Sequence, residues 1–174
     1  MIPNEKPVEL TQGKEIRFRG EDRSKAARRE IRAGLRTLHR LEIMAVNIYR
    51  FQITNKRSEL NRQLIHGLDI EIQHAQDFLV LLYEYGFKPA FWRGIFWLVG
   101  LAFGFSSRLR GERAILKMGV WVEKKAVEHY DELIESIDWD DESRAIVRKN
   151  QADEYHHIDM WQTLLRKMDE AAGE

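Results

Sequence analysis

The chain has 174 residues, enough for one domain with a sizeable core, and its 44% apolar and 32% charged residues are ordinary for a soluble protein. It contains no cysteine, which excludes disulfides, iron–sulfur clusters, thiolate zinc sites and cysteine nucleophiles. Lys and Arg total 28 against 28 Asp and Glu, and that neutral balance argues against a dedicated nucleic-acid binder.

Residues 1–20 hold two of the three prolines, Pro3 and Pro7, and show no hydrophobic period, so they read as an N-terminal arm. Residues 1–10 have no apolar stretch, and a cleaved secretory signal is not expected. Residues 21–174 read as one helical domain. From Glu21, a first helix carries Ile31, Leu35, Leu38, Ala45 and Tyr49 on one stripe. A second runs from Lys56 to about Tyr85, with Leu64, Leu68, Ala75, Phe78 and Leu82 in line, and Gly86 to Pro89 stop it. Residues 94–107 form a short segment without a charge. A fourth helix, from about Gly111 to Ile137, aligns Leu116, Val120, Val127, Tyr130 and Ile134. A fifth, reaching about Ala172, aligns Val147, Ile158, Trp161, Leu165 and Met168. Four long amphipathic helices and a short apolar one predict an all-α fold, an antiparallel four-helix bundle.

Each long stripe is interrupted once, every time by a glutamate: Glu42, Glu71, Glu123 and Glu154. An ionised carboxylate facing a bundle core costs several kcal/mol unless it is compensated. The Lys and Arg residues mostly lie off the stripes, whereas two divalent ions would balance four carboxylates. The only two Glu-x-x-His spacings in the chain are Glu71–His74 and Glu154–His157, and residues three apart on a helix reach one ion. Glu42 precedes Glu71 by 29 residues and Glu123 precedes Glu154 by 31, the length of a helix, a turn and a return to the same level. The segments EIMAVNIY from Glu42 and EKKAVEHY from Glu123 share a Glu-x-x-Ala-Val-x-x-Tyr pattern, so the chain reads as two copies of one hairpin. This is the ligand set of ferritin-like di-metal carboxylate bundles. Carboxylate and imidazole ligands without thiolate suit iron or manganese, and two iron ions are expected. Six protein ligands over two metals leave positions open for chemistry.

Arg93, Arg108 and Arg110 flank the short apolar segment, and Phe91, Trp92, Phe96, Trp97, Phe103 and Phe105 fill it. It is too short to span a bilayer and fits an interfacial helix on an anionic leaflet. A peripheral protein on the cytoplasmic face of the membrane is expected. Arginines of the first third (Arg17, Arg19, Arg28, Arg29, Arg32) would add attraction, and Gly100 and Gly104 offer a close-approach face for a homodimer.

The stretch from about Leu35 to Met168 resembles the demethoxyubiquinone hydroxylases, ferritin-like di-iron monooxygenases of ubiquinone biosynthesis. The matching segments are EIQHAQDF at 71–78, VEKKAVEHY at 122–130, RKNQADEYHHID at 148–159 and FKPAFWRGIFWLVGLAFG at 87–104. The resemblance implies iron ligands Glu42, Glu71, His74, Glu123, Glu154 and His157. It also implies a His129–Tyr130 pair near the iron, Asp159 as a partner of a ligand, and O2-dependent hydroxylation of a lipophilic quinol with NADH as electron donor. No glycine-rich nucleotide fingerprint is present, so contact with NADH would be unconventional. The family's Asp-His-Ala-Gly-Glu run reads LHRLE here, with Leu38 and Leu41 in place of Asp and Gly, and Lys124 and Lys125 are also departures. Tyr49, Tyr130 and His129 fit either a place beside the metals or an ordinary core or boundary role. Two other functions stay open: a ferroxidase or peroxide-handling di-iron protein, and a non-catalytic bundle that binds a lipid or a membrane partner; a lipid-binding partner protein is a further expected partner.

Overall fold

A computed structural model describes residues 16–173 as five helices: α1 (Lys25–Gln52), α2 (Glu59–Glu84), α3 (Arg93–Leu109), α4 (Glu112–Ser136) and α5 (Asp141–Gly173). No strand occurs among the described residues. Of the expected arm, residues 1–15 lie outside the described residues, and 16–20 are irregular. α1 starts at Lys25 rather than the expected Glu21 because Ser24 caps it, its hydroxyl accepting from Ala27 N at 3.2 Å. Ser58 caps α2 in the same way through Asn61 N. Gly86, at φ +72°, turns the chain out of α2.

The long helices form a square in which every neighbouring pair is antiparallel. Residue pairs such as Tyr49–Glu123 and Glu42–Tyr130 set α1 against α4, and His74–Asp153 sets α2 against α5. α2 and α4 therefore run the same way, and the chain must travel the length of the bundle between them. α3 is that crossover. It lies along α1 at two glycines: a Cβ at Gly100 would stand 2.4 Å from the Met44 carbonyl oxygen, and one at Gly104 would stand 2.5 Å from that of Ile48. The close-approach glycines are thus engaged within the chain by α1. The opposite face of α3 is exposed at Ile95, Leu98, Phe105 and Leu109, next to exposed Phe91 and Trp92. No helix among the described residues is long and apolar enough to cross a membrane.

The stripe residues are buried or partly buried, in two apolar layers. One holds Ile31, Leu35, Leu38, Phe78, Leu82, Ile134 and Val147, and the other Leu64, Ile115, Leu116 and Trp161. Tyr130 belongs to the first layer and Tyr49 to the second, and the polar residues of all four helices meet between them. Three of the N-terminal arginines make contacts within the chain. Arg17 pairs with Glu142, Arg19 with Glu84, Asp140 and Glu142, and Arg28 donates to the Gly20 and Tyr85 carbonyls.

Candidate metal centre

The four stripe-breaking glutamates and the two histidines meet. Glu42, Glu71, His74 and Glu154 offer one group of ligand atoms within 4.8 Å of one another, and Glu71, Glu123, Glu154 and His157 offer a second. Glu71 and Glu154 belong to both groups, as expected of residues shared by two neighbouring ions. All six are at most 2% exposed, so water cannot compensate their charge.

Each histidine turns Nδ1 into the cluster. His74 Nδ1 lies 3.1 Å from Glu154 Oε1 and 3.8 Å from Glu71 Oε2. His157 Nδ1 lies 3.2 Å from Glu71 Oε1, 3.2 Å from Glu154 Oε2 and 3.9 Å from Glu123 Oε1. Despite this crowding, both oxygens of Glu71, His74 Nδ1 and Glu154 Oε1 are buried without a hydrogen bond. Native interiors rarely leave such atoms unpaired, and cations held between them would satisfy all of them. The donor set therefore fits two divalent ions, one held by each group.

Burial pushes Glu42 and Glu123 well above the usual carboxylate range, and the neighbouring carboxylates Glu71 and Glu154 add to the effect. Burial also opposes ionisation of Glu71, but its contacts with His157 and His74 outweigh that, and its carboxyl sits below the usual range. Burial disfavours charge on the two imidazoles, yet their contacts with Glu154 and Glu71 lift His74 to about 12 and His157 to about 11. Without metal, protons do the work of cations.

The tyrosines connect the cluster to the apolar layers. Tyr130 Oη donates to Glu42 Oε1 at 2.6 Å, Tyr49 Oη donates to Glu123 Oε1, and Trp161 Nε1 donates to Tyr49 Oη at 3.1 Å. Both hydroxyls are held well above the usual phenol range by burial, then by the adjacent carboxylates, which keeps them donors. His129 bonds to none of the six; it is half-exposed at a cavity rim, 3.9 Å from Glu132. Asp159 is exposed, and Asp153 takes the role expected of it: Asp153 Oδ2 lies 3.1 Å from His74 Nε2. The available signal was position, because Asp153 directly precedes Glu154 and one residue's turn aims it at α2.

A cavity of about 210 Å³ opens between α1 and α4. Leu41, Met44, Ala45, Trp121, Val122 and Ala126 form its apolar walls, and Glu42, Glu71 and Glu123 form part of its lining. Lys125 and His129 are its polar lip. Dry cavities of ~150 Å³ accept benzene, so this one has room for an aromatic ring. Sequence reasoning missed the cavity, although two departures from the family pattern, Leu41 and Lys125, line it.

The sequence matches a family described as ubiquinone biosynthesis protein COQ7 over residues 29–168. It is 27% identical over 142 residues to a protein named NADPH-dependent 3-demethoxyubiquinone 3-hydroxylase, mitochondrial, of Dictyostelium discoideum, covering 79% of this chain and 65% of the relative. It is 25% identical over 138 residues to the 3-demethoxyubiquinol 3-hydroxylase of Pseudomonas fluorescens (strain SBW25), covering 78% of this chain and 64% of the relative. The match thus spans slightly less than two thirds of either relative's length.

Proposed function

The chain belongs to the COQ7 family of ubiquinone biosynthesis proteins, and from that membership we propose that it hydroxylates the ring of a lipophilic, 3-demethoxyubiquinol-like quinol with O2 at a ferritin-like di-iron centre. One observation carries the reading: Glu42, Glu71 and Glu123 are at once members of the ligand cluster and lining of the apolar cavity. A ring in that cavity lies directly against the metal ligands. The reaction balances as ring C–H, O2, a reduced nicotinamide and a proton giving ring C–OH, water and the oxidised nicotinamide. NADH or NADPH serves as donor, the Dictyostelium discoideum relative being named as NADPH-dependent. Two bound iron ions would supply electrons for the reduction of O2.

The protein's own residues prepare the site. Glu71 and Glu154 belong to both ligand groups and would hold a pair of ions between them. Tyr130 and Tyr49 fix the orientation of Glu42 and Glu123. Leu41, Met44 and Val122 keep water away from the ring, and His129 stands at the lip of the cavity.

A quinol with a polyprenyl tail resides in a bilayer, and the exposed apolar face of α3 with Arg93, Arg108 and Arg110 at its ends suits a membrane surface, the cytoplasmic face in this reading. Trp121 at the cavity meets Phe103 of α3 edge-on, ring centroids 6.1 Å apart, so the cavity lies beside that face. The test is iron-loaded protein on anionic vesicles with a demethoxyquinone, NADH or NADPH, and ¹⁸O₂. A hydroxylated quinone carrying one labelled oxygen is expected. No product across quinones of several tail lengths would remove the substrate, and O2 consumption that yields only oxidised iron would favour the iron-handling alternative.

A further inference from the structure

The segments IEIQHAQDF at 70–78 and DEYHHIDMW at 153–161 are equivalent in the repeat and supply equivalent ligands, yet they differ at two positions next to the cluster. The first lies one residue before each ligand glutamate. Asp153, ahead of Glu154, reaches across to His74 and places Oδ2 3.1 Å from Nε2, with Lys149 Nζ 3.6 Å away steadying the carboxylate. Its counterpart ahead of Glu71 is Ile70, which has no acceptor to offer, and His157 Nε2 is buried without a hydrogen-bond partner. The second lies four residues after each ligand histidine. Phe78 packs on Tyr130, ring centroids 6.1 Å apart, with no polar atom. Trp161 packs on Tyr49 at 5.7 Å and donates to its hydroxyl oxygen.

Both differences act in one direction. A carboxylate on the outer nitrogen of a ligating imidazole fixes its tautomer and raises its basicity, so His74 is the stronger imidazole ligand. A phenol oxygen that accepts a hydrogen bond becomes a better donor, so Tyr49 draws more charge from Glu123 than Tyr130 draws from Glu42. We infer that the two metal positions are unequal: the one formed by Glu42, Glu71, His74 and Glu154 binds its divalent ion more tightly and fills first, with Asp153 the positioning residue that sets the difference. The inference rests on the metal reading of the proposed function.

Anaerobic titration of the metal-free chain with Fe(II), followed by equilibrium dialysis, tests it without turnover. The wild type should bind two ions in separate steps at least tenfold apart. Asp153→Asn should weaken the first constant about 10- to 100-fold and leave the second nearly unchanged. Trp161→Phe, which keeps an aromatic ring against Tyr49, should tighten the second constant a few-fold and serves as the readout if Asp153→Asn does not fold. His157→Ala should keep the tight ion, and His74→Ala should lose it. Two equal ions in the wild type, or variants that leave the spacing of the two constants unaltered, would overturn the inequality while leaving the proposed function standing. Binding of no ion would overturn both.

Discussion

Tyr130 donates to Glu42 at 2.6 Å and Tyr49 donates to Glu123, so each tyrosine of the internal repeat serves the glutamate of the other copy. The antiparallel setting of α1 and α4 produces this exchange. Two turns beyond Glu42 on α1 the chain stands level with Glu123, and the reverse holds on α4. Removing one hydroxyl strands a buried carboxyl group. Tyr130→Phe keeps the ring's volume and should destabilise the metal-free protein by about 1–3 kcal/mol. With metal bound, Glu42 has a second partner and the loss should be smaller. Urea unfolding with and without Fe(II) measures both, and equal losses would show that Glu42 does not face an ion.

Glu71 and Glu154 appear in both ligand groups, whereas Glu42 and Glu123 appear in one each. Glu71→Gln should therefore cost both ions, and Glu42→Gln should cost one. Metal content per chain after reconstitution distinguishes these outcomes. Loss of a single equivalent in both variants would mean two separate sites rather than a shared pair.

In the metal-free protein, burial and neighbouring carboxylates raise Glu42 and Glu123, and contacts with Glu154 and Glu71 raise His74 to about 12 and His157 to about 11. These shifts all favour protons where two divalent ions would bring positive charge, and metal binding would displace protons from the site. A group whose folded pKa is raised contributes most below its unfolded value, near 6.5 for histidine, and loses that contribution as pH climbs toward the folded value. The histidine contribution to metal-free stability should therefore decline above about pH 6.5, while metal affinity rises over the same range. The gain in Tm on adding Fe(II) should widen between pH 6 and 8, with up to about four protons released per pair of ions in a pH-stat titration. A gain independent of pH would contradict protonated ligands.

The six candidate ligands were legible in the sequence in two ways: the four glutamates each replace an apolar residue on a regular stripe, where a carboxylate is too costly to be incidental, and the two histidines stand three residues after Glu71 and Glu154. The roles of the tyrosines were half legible. Their alignment with the glutamates followed from helical period, but which glutamate each would meet depended on the direction of α4, set by the α3 crossover. Asp153 escaped notice because it lies off the stripe, on the flank where α5 meets α2, and flanks are normally filled by solvated residues. The cavity depends on the gap between α1 and α4, and Leu41, Met44 and Trp121 look like ordinary core or surface residues until that gap is known. α3 was recognisable as apolar, but with apolar residues all round it no single face was marked as inward. The small residues Gly100, Gly104 and Ser107 mark the buried side.

Those glycines allow a controlled test of how α3 is held. A methyl at Gly100 would stand 2.4 Å from the Met44 carbonyl oxygen, which belongs to the α1 backbone and cannot swing aside. Gly100→Ala should lift α3, weaken the Phe51–Trp97 ring contact at 6.0 Å and the Gln52–Ser107 hydrogen bond at 2.9 Å, and cost about 1–3 kcal/mol. Gly94 begins the same helix with open space around its Cβ position, so Gly94→Ala should be neutral or stabilising by up to about 1 kcal/mol. The two substitutions add the same methyl to the same helix, and a difference in Tm isolates the contact with α1. Because Trp121 at the cavity lip leans on Phe103 of α3, Gly100→Ala should also alter Trp fluorescence at temperatures well below unfolding. If the two variants melt together and their emission matches the wild type, α3 is not anchored at this glycine, and the placement of the cavity beside its apolar face loses its support.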